Sequence, residues 1–216
     1  MQQKLTKDMI IGENRLTHQE KIDIFEELLR STNRQGMDNV IDFVRRTDFY
    51  TAPASSKYHS NYDNGLLDHS LCVYAVALEC VNCFGSFDPE TVNRIDRNSL
   101  IVSCLLHDFC KICFYKKGQR WKKDDTNSWV SYDSYIIEDT FPIGHGEKSV
   151  IMLQGLGLQM TPEEMLAIRY HMAGWGDESK EFAASKTNAL KISPLVLLLQ
   201  MADFSSSVLF ERTVEN

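Results

Sequence analysis

Apolar residues recur at helical spacing along most of the chain. Residues 18–31 carry apolar side chains at Ile22, Ile24, Phe25, Leu28 and Leu29, which form one stripe on a helix. The same pattern predicts further helices over residues 37–46, 65–83, 98–114, 146–155 and 162–172, and from about 193 to Arg212. The sequence therefore predicts a mostly α protein.

Two segments depart from this helical pattern. Residues 47–64 contain Pro, Ser, Asn and Asp with little periodicity, which predicts a loop that is long for a compact domain. Residues 115–135 alternate aromatic and polar side chains around a Lys-Gly and an Asp-Asp-Thr-Asn segment, which predicts a small β-hairpin. With no repeat, the chain is interpreted as one domain, 1–216, with a helical lead-in (1–47), a helical core (64–212) and the hairpin.

Composition and charge argue against some classes of function, such as binding of long nucleic acids. The chain has 216 residues, 43% hydrophobic, with a net charge of −7. A net negative charge argues against stable binding of long nucleic acids, whose affinity depends on Lys and Arg. No apolar run is expected to approach the roughly 18 residues of a membrane span, and no signal-peptide core is recognised. We therefore expect a cytoplasmic protein with no membrane partner; the oligomeric state is not predicted.

The hairpin segment and the cysteines each have two interpretations. Basic and aromatic side chains in the hairpin could contact a phosphate-rich ligand, although a solvated hairpin packed on the body is favoured: Lys116, Lys117, Arg120, Trp121, Lys122, Lys123 and Trp129. The two CxxC pairs, Cys80/Cys83 and Cys110/Cys113, could bind zinc. Because they lie in apolar helical sequence without turn residues, reduced core cysteines are favoured.

Candidate chemistry is concentrated in histidines and aspartates on successive helical segments. Imidazoles and carboxylates that point into helical cores are costly unless they are paired or bound to metal. Six such residues follow one another along the chain and predict one shared metal site: His69, His107, Asp108, His145, His171 and Asp203. Taken singly, His69 or His171 could be an ordinary buried or helix-terminal histidine, whereas Asp203 in an apolar helix is harder to explain without a partner.

The number of ligands bears on the number and type of ions. Six protein ligands exceed what one catalytic Zn²⁺ takes, and a carboxylate at Asp108 can bridge two ions, so one or two ions are expected. Mixed imidazole and carboxylate donors suit Mn, Fe, Co or Ni better than Mg or Zn. Lys111 follows Asp108 by three residues, which on a helix places a cation beside the metal, where a phosphate oxygen would bind.

The series His69, His107-Asp108 and Asp203 resembles the signature of the HD-domain superfamily of metal-dependent phosphohydrolases. The additional pair His145 and His171 resembles its dinuclear branch. The resemblance extends over about residues 64–206. Residues 47–59 and 144–149 are similar to a small HD-hydrolase family of bacteria and phages. One departure is Phe109-Cys110-Lys111, where many relatives have Ile-Gly-Lys.

The resemblance implies an HD-type helical bundle and an enzyme that hydrolyses a phosphomonoester or phosphodiester of a nucleotide or short oligonucleotide through metal-bound hydroxide. It implies catalytic roles for Asp108 and Lys111, and substrate contacts by Lys57, His59 and Lys148. Two alternatives stay open: a di-iron oxygenase on the same six ligands, and a catalytically silent nucleotide-binding regulator. The substrate within the nucleotide class is not predicted.

Overall fold

The computed structural model describes residues 4–172 and 179–211. Within these residues the protein is mostly α, with ten α-helices and one two-stranded antiparallel sheet, which confirms the predicted fold class. The elements are α1 (Lys7–Ile11), α2 (His18–Ser31), α3 (Met37–Arg46), α4 (Gly65–Phe87), α5 (Pro89–Asn93), α6 (Arg97–Leu106), β1 (Tyr115–Lys123), β2 (Trp129–Ile137), α7 (His145–Gly155), α8 (Pro162–Arg169), α9 (Lys180–Ile192) and α10 (Pro194–Ser205).

Local capping fixes where several helices begin. At the start of α2, the Thr17 side chain accepts from the Glu20 backbone N–H, and the Glu20 carboxylate accepts from the Thr17 backbone N–H. Thr161 and Glu164 form the same reciprocal pair at α8, where Pro162 occupies the first helical position. Such pairs satisfy N–H groups that have no partner within the helix. The sequence therefore sets these helix starts locally.

Four helices form the centre of the molecule: α4, α6, α8 and α10. The long helix α4 packs against α6 and α10, and α8 packs against α6, α7 and α10. The helix α2 closes one side by packing on α4 and α6. The core contains fully buried Phe25, Leu67, Leu71, Ile101 and Leu199, which come from α2, α4, α6 and α10. This arrangement brings the inner faces of α4, α6 and α10 and the end of α8 together.

The helix predicted over residues 98–114 is interrupted, so that prediction is wrong in its second half. The α6 helix ends at Leu106, His107 follows as its cap, and Phe109–Lys111 form a separate 3₁₀ turn. The backbone N–H of Cys110 donates to Ser149 Oγ on α7 at 3.0 Å instead of to a carbonyl of α6. A tertiary hydrogen bond thus replaces the helical one, and it turns the chain where His107 and Asp108 lie.

Other boundaries also differ from the predictions. Helices α1 and α9 were not predicted, and the hairpin extends to Ile137 instead of residue 135. Helix α8 ends at Arg169, so that His171 lies just beyond it. The last helix ends at Ser205 and continues as a π turn over Ser206–Phe210. Its predicted end at Arg212 lies outside the described residues.

The expectation that no apolar run approaches the length of a membrane span is also wrong. Helix α4 has 23 residues and is apolar and long enough to cross a membrane by length and composition. Its first half, from Gly65 to Ala75, is buried within the protein and includes His69. Helix α9 and the segment 194–210 meet the same criterion only as a pair, which is bent by 110°. A helix that is apolar on all sides is also what a protein core requires.

The long loop 47–64 packs against the base of the hairpin and holds it on the body. Tyr115 pairs with Ile137 at the base of the hairpin, and Lys123 pairs with Trp129 at its tip. The Asp63 carboxylate accepts from Lys117 Nζ at 2.8 Å and from the Tyr135 hydroxyl. These contacts hold the base of the hairpin against the loop that precedes α4.

Candidate metal centre

Five of the six residues predicted as metal ligands meet in the interior of the helical core. His69 lies on α4, His107 and Asp108 follow the end of α6, His171 follows the end of α8, and Asp203 lies on α10. The first four are buried, and Asp203 retains only a small exposed area. The five side chains therefore reach the centre from four different helices or helix ends.

The ligand atoms lie as close together as atoms around one ion. The Nε2 atoms of His69 and His107 are 3.1 Å apart, and each lies 3.4 Å from Asp108 Oδ2. Asp203 Oδ1 lies 3.3 Å from His69 Nε2 and 3.9 Å from His107 Nε2. Ligands bound about 2.0–2.2 Å from a metal, at angles of about 90–110°, lie roughly 2.8–3.6 Å from one another. Of the distances above, only that from Asp203 to His107 is longer. These four side chains could hold one ion.

Three of the imidazoles are oriented by hydrogen bonds from Nδ1. His107 Nδ1 donates to the Cys104 carbonyl at 2.9 Å, and His171 Nδ1 donates to the Ile168 carbonyl at 2.7 Å. His69 Nδ1 donates to Glu211 Oε1 at 2.8 Å. With the proton on Nδ1, the Nε2 lone pair is available to a cation. The hydrogen bonds thus present the Nε2 atoms of all three imidazoles as ligands.

Two buried polar atoms beside this group have no hydrogen-bond partner. They are Asp108 Oδ1 and His171 Nε2, which lie 3.5 Å apart. A buried carboxylate oxygen and an imidazole nitrogen without partners are costly, and a cation between them would remove that cost. Oδ2 of the same carboxylate faces His69 and His107. Asp108 therefore has one oxygen for each of two adjacent cation positions. The donor set fits one or two metal ions.

The electrostatics of the centre also suit a cation. Burial opposes charge on His69, yet the surrounding carboxylates, Glu211 foremost, raise its pKa well above the ordinary value. For Asp108, burial would raise the pKa, but the Lys111 ammonium and the His107 imidazole lower it well below the ordinary value. A proton on His69 Nε2 would lie between this nitrogen and the carboxylate oxygens of Asp108 and Asp203, whose lone pairs otherwise repel it. A metal ion is a suitable replacement for that proton.

His145 and Lys111 line the same cavity as the central group. His145 is the first residue of α7, and its Nδ1 lies 3.3 Å from the Cys110 sulfur. Burial lowers the pKa of His145 and keeps the imidazole neutral, as a ligand must be. Lys111 Nζ lies 2.6 Å from Asp108 Oδ2. The sequence spacing of Lys111 and Asp108 does bring them together, but across a 3₁₀ turn rather than along a helix.

The three predicted substrate contacts are in different surroundings. His59 packs its ring on His69, with centroids 4.8 Å apart, and its buried Nε2 has no hydrogen-bond partner. Burial lowers the pKa of His59 to about 4. Lys148 is buried and paired with Asp139 at 2.6 Å, and Lys57 is exposed outside the cavity. The structure brings His59 to the centre, and it does not bring Lys57 or Lys148 there.

A cavity of about 540 Å³ opens onto the centre. Its polar wall includes His59, Asp108, Lys111, His145 and Asp203. Its apolar wall comes from the hairpin, the segments after the 3₁₀ turn and after α8, and the last helix with its π turn: Phe114, Ile137, Met172, Phe204 and Val208. A ligand with one charged end and one flat or apolar part would match these two walls.

Glu211 lies beside the candidate centre, although the sequence pattern did not predict it there. One of its oxygens accepts from His69 Nδ1, and the other accepts from Ser60 Oγ at 2.6 Å. The π turn before it is closed by the Glu211 backbone N–H, which donates to the Ser206 carbonyl at 2.9 Å. The only signal in the sequence is the spacing of eight residues from Asp203, about two helical turns. Single π turns of this kind often occur at functional sites.

The cysteines are all free thiols. Cys72, Cys104 and Cys110 are buried, as expected of core cysteines, whereas Cys83 and Cys113 are exposed. No group of three or more potential ligands among the described residues includes a cysteine.

Comparisons of the chain with models of protein families, with curated proteins and with solved structures found no match.

Proposed function

We propose that the protein is a metal-dependent phosphohydrolase of the HD type, which cleaves a phosphoester of a nucleotide or short oligonucleotide. The observation that carries the proposal is the convergence of three oriented imidazoles with Asp108 and Asp203 beside two unpartnered ligand atoms. Structural histidines do not need to gather their Nε2 atoms around two carboxylates. The order of these residues along the chain is also that of the HD superfamily.

The residues that would hold metal divide into two sets that share Asp108. His69, His107, Asp108 Oδ2 and Asp203 would hold the first ion, and Asp108 Oδ1 with His171 and His145 would hold a second. Ions held there would supply positive charge that polarises a phosphoryl oxygen and acidifies water. Glu211 would fix the tautomer and the orientation of His69.

The other residues of the cavity would bind and orient the substrate. The Lys111 ammonium, 2.6 Å from Asp108 Oδ2, would attract a phosphate oxygen to the edge of the centre. The neutral His59 imidazole, with its unpartnered Nε2, would donate to or accept from the same group. The apolar wall formed by Phe114, Ile137 and Phe204 would contact the base and limit the access of water.

The substrate class follows from the size and character of the cavity. A volume of about 540 Å³ lies within the range of sites that hold small organic ligands. A phosphate at the polar wall and a nucleobase at the apolar wall would use both halves. Inorganic pyrophosphate or a small sugar phosphate would leave the apolar wall exposed to water.

The proposal is tested by metal analysis followed by a phosphate-release screen. Protein purified with added Mn²⁺ or Co²⁺ should contain one to two ions per chain and should release phosphate or a nucleotide from a nucleotide panel without oxygen. His171→Ala should lower both the metal content and the rate, whereas His18→Ala, on the first turn of α2, should change neither. Protein that takes up no metal, or that hydrolyses no phosphoester when loaded, would overturn the proposal.

A second candidate is a di-iron oxygenase. The apolar wall of the cavity favours it, because oxygenases act on carbon–hydrogen bonds, and the apolar part of a substrate that carries such bonds would pack on this wall. Turnover that requires both iron and O₂ and releases no phosphate would select this candidate. The adjacent Lys111, which suits an anionic substrate, favours hydrolysis.

A further inference from the structure

One face of the β-hairpin is open to solvent. Side chains alternate between the two faces of a strand, and residues paired across an antiparallel sheet share a face. The outer face consists of every second residue from Tyr115 to Lys123 on β1 and their partners from Ile137 to Trp129 on β2. Tyr115 and Tyr135 are half-buried at its base, and the remaining positions are exposed.

Two tryptophans stand on this outer face without packing against the body. Trp121 is 63% exposed and Trp129 is 64% exposed. In the register of the hairpin they occupy diagonal positions, since Trp121 pairs with Ser131 and Trp129 pairs with Lys123. Indole rings are usually at least partly buried, because their apolar area is large. Two exposed rings on one face form a platform for a flat ligand.

The outer face is continuous with the cavity at the candidate metal centre. At its base, Tyr115 and Ile137 form part of the cavity wall. The next pair of the same face, Lys117 and Tyr135, lines an adjoining groove of about 420 Å³ together with Tyr115. Six residues separate Tyr115 from Trp121, which is about 20 Å along a strand. An extended ligand could therefore lie in the cavity and on the platform at the same time.

The charge of the hairpin differs in sign from that of the whole chain. Residues 115–137 contain five basic and three acidic residues, a net charge of +2, in a chain of net charge −7. Of these, Lys117, Lys123 and Asp133 lie on the outer face, which has a net charge of +1. On the outer face, Lys123 Nζ lies 5.7 Å from the centre of the Trp129 ring. Lys117 is paired with Asp63, and Asp133 is the one acid on this face. The Lys123 ammonium beside the exposed Trp129 ring matches a phosphate beside a stacked base.

We propose that the outer face of the hairpin binds the single-stranded part of an oligonucleotide whose terminal phosphoester lies in the cavity. This inference rests on the proposed function and names its substrate as a short single strand. Bases of a single strand expose flat faces that stack on Trp121 and Trp129, whereas a duplex hides those faces. Binding over a few nucleotides requires only the local positive charge and agrees with the acidic chain as a whole.

The test measures binding of a fluorescein-labelled single-stranded decanucleotide of mixed sequence, as RNA and as DNA, by fluorescence anisotropy in EDTA. Trp121→Ala and Trp129→Ala should each weaken binding about tenfold, because one stacked base is lost in each case. The matched control is Phe87→Ala, an exposed aromatic at the far end of α4 (93% exposed), which should bind like the wild type. A duplex of the same sequence should bind at least about tenfold more weakly than the single strand.

The outcomes separate this inference from the proposed function. Decanucleotide affinity that is equal in the wild type and in both tryptophan variants, or a preference for the duplex, would overturn the inference even if mononucleotides are hydrolysed. Tryptophan-dependent binding without hydrolysis of any phosphoester would support the platform and overturn the hydrolase. Dimerisation that Trp121→Ala abolishes, with no binding of the decanucleotide, would identify the face as a contact between two copies and would also overturn the inference.

Discussion

Asp108 is the single residue on which the candidate centre depends most. Its two oxygens face different neighbours, and only Oδ2 is engaged, by Lys111 and near two imidazoles. Asp108→Ala should abolish both metal content and activity, because no other side chain serves both sets of ligands. The double variant Asp108→Ala/Lys111→Ala serves as a control for stability, since it also removes the buried ammonium. Metal bound at wild-type stoichiometry in Asp108→Ala would contradict this role.

Lys111 should have a different role from Asp108. Lys111→Ala should retain metal and lose rate, by about 10²–10³ in kcat, because the ammonium lines the cavity in which the proposed substrate would bind. Metal analysis and phosphate release on the same sample check this separation. Normal turnover of every phosphoester by Lys111→Ala would contradict it.

Glu211 contacts the candidate centre through His69. Glu211→Ala should weaken metal affinity by roughly 10–100-fold, because the His69 imidazole loses the acceptor that fixes its tautomer. Glu211→Gln, which keeps an acceptor oxygen, should recover part of that loss. A metal titration of each variant provides the measurement, with the exposed Glu163→Gln as the control. Unchanged affinity in Glu211→Ala would show that His69 is oriented by other contacts.

At the scale of elements, Gly146 determines how closely α7 approaches α8. A Cβ at Gly146 would lie 2.3 Å from the Arg169 carbonyl oxygen and 2.5 Å from the Ile168 carbonyl oxygen. Gly146→Ala should therefore lower the free energy of unfolding by about 1–3 kcal/mol and displace His145 from the cavity. On the same helix, Gly155 has open space at the Cβ position, so Gly155→Ala should be neutral or stabilising. Denaturant unfolding of both variants tests this contrast, and equal effects would contradict it.

The helices α2 and α4 are joined by a buried ion pair. Lys21 Nζ lies 2.7 Å from Asp68 Oδ1, and both side chains are almost fully buried. Lys21→Met should cost about 3–5 kcal/mol, because it leaves the Asp68 carboxylate buried without its cation. The exposed pair of Lys4 and Glu79 provides the control, and Lys4→Met should cost less than about 1 kcal/mol. Thermal or urea unfolding gives both values, and a cost below 1 kcal/mol for Lys21→Met would be inconsistent with the buried pair.

At the scale of the whole molecule, metal should stabilise the fold. The ligands come from α4, α10 and the ends of α6 and α8, so the site exists only when these helices are packed. Free metal at 100 times its Kd should add about 2.7 kcal/mol. For a chain of this length that raises Tm by roughly 5–10 °C. Scanning calorimetry with Mn²⁺ and with EDTA measures the shift, and an equal Tm in both would contradict metal binding to the native state.

The sequence predicted the helical fold and most of the central group of side chains. Helices α2 and α3 begin and end as predicted, because their apolar stripes and caps lie within a few residues of one another. Asp203 could be identified singly, since a carboxylate in an apolar helix requires a partner, whereas His69 and His171 were identified only as members of the ordered series. Helix α9 was missed because it buries only Ala189 and shows no strong stripe.

The tertiary structure decided what no local pattern specifies. The bond from Cys110 to Ser149 turns the chain after the end of α6, where Asp108 faces four other side chains. Glu211 reaches His69 across 142 residues of sequence, and His59 reaches the same ring from a loop. Hydrophobic periodicity depends on neighbours within a few residues, so the sequence by itself determined the helices and the kind of chemistry they hold. Packing alone brings particular imidazole nitrogens, carboxylate oxygens and apolar side chains together in the cavity, because they come from segments that are distant in the sequence.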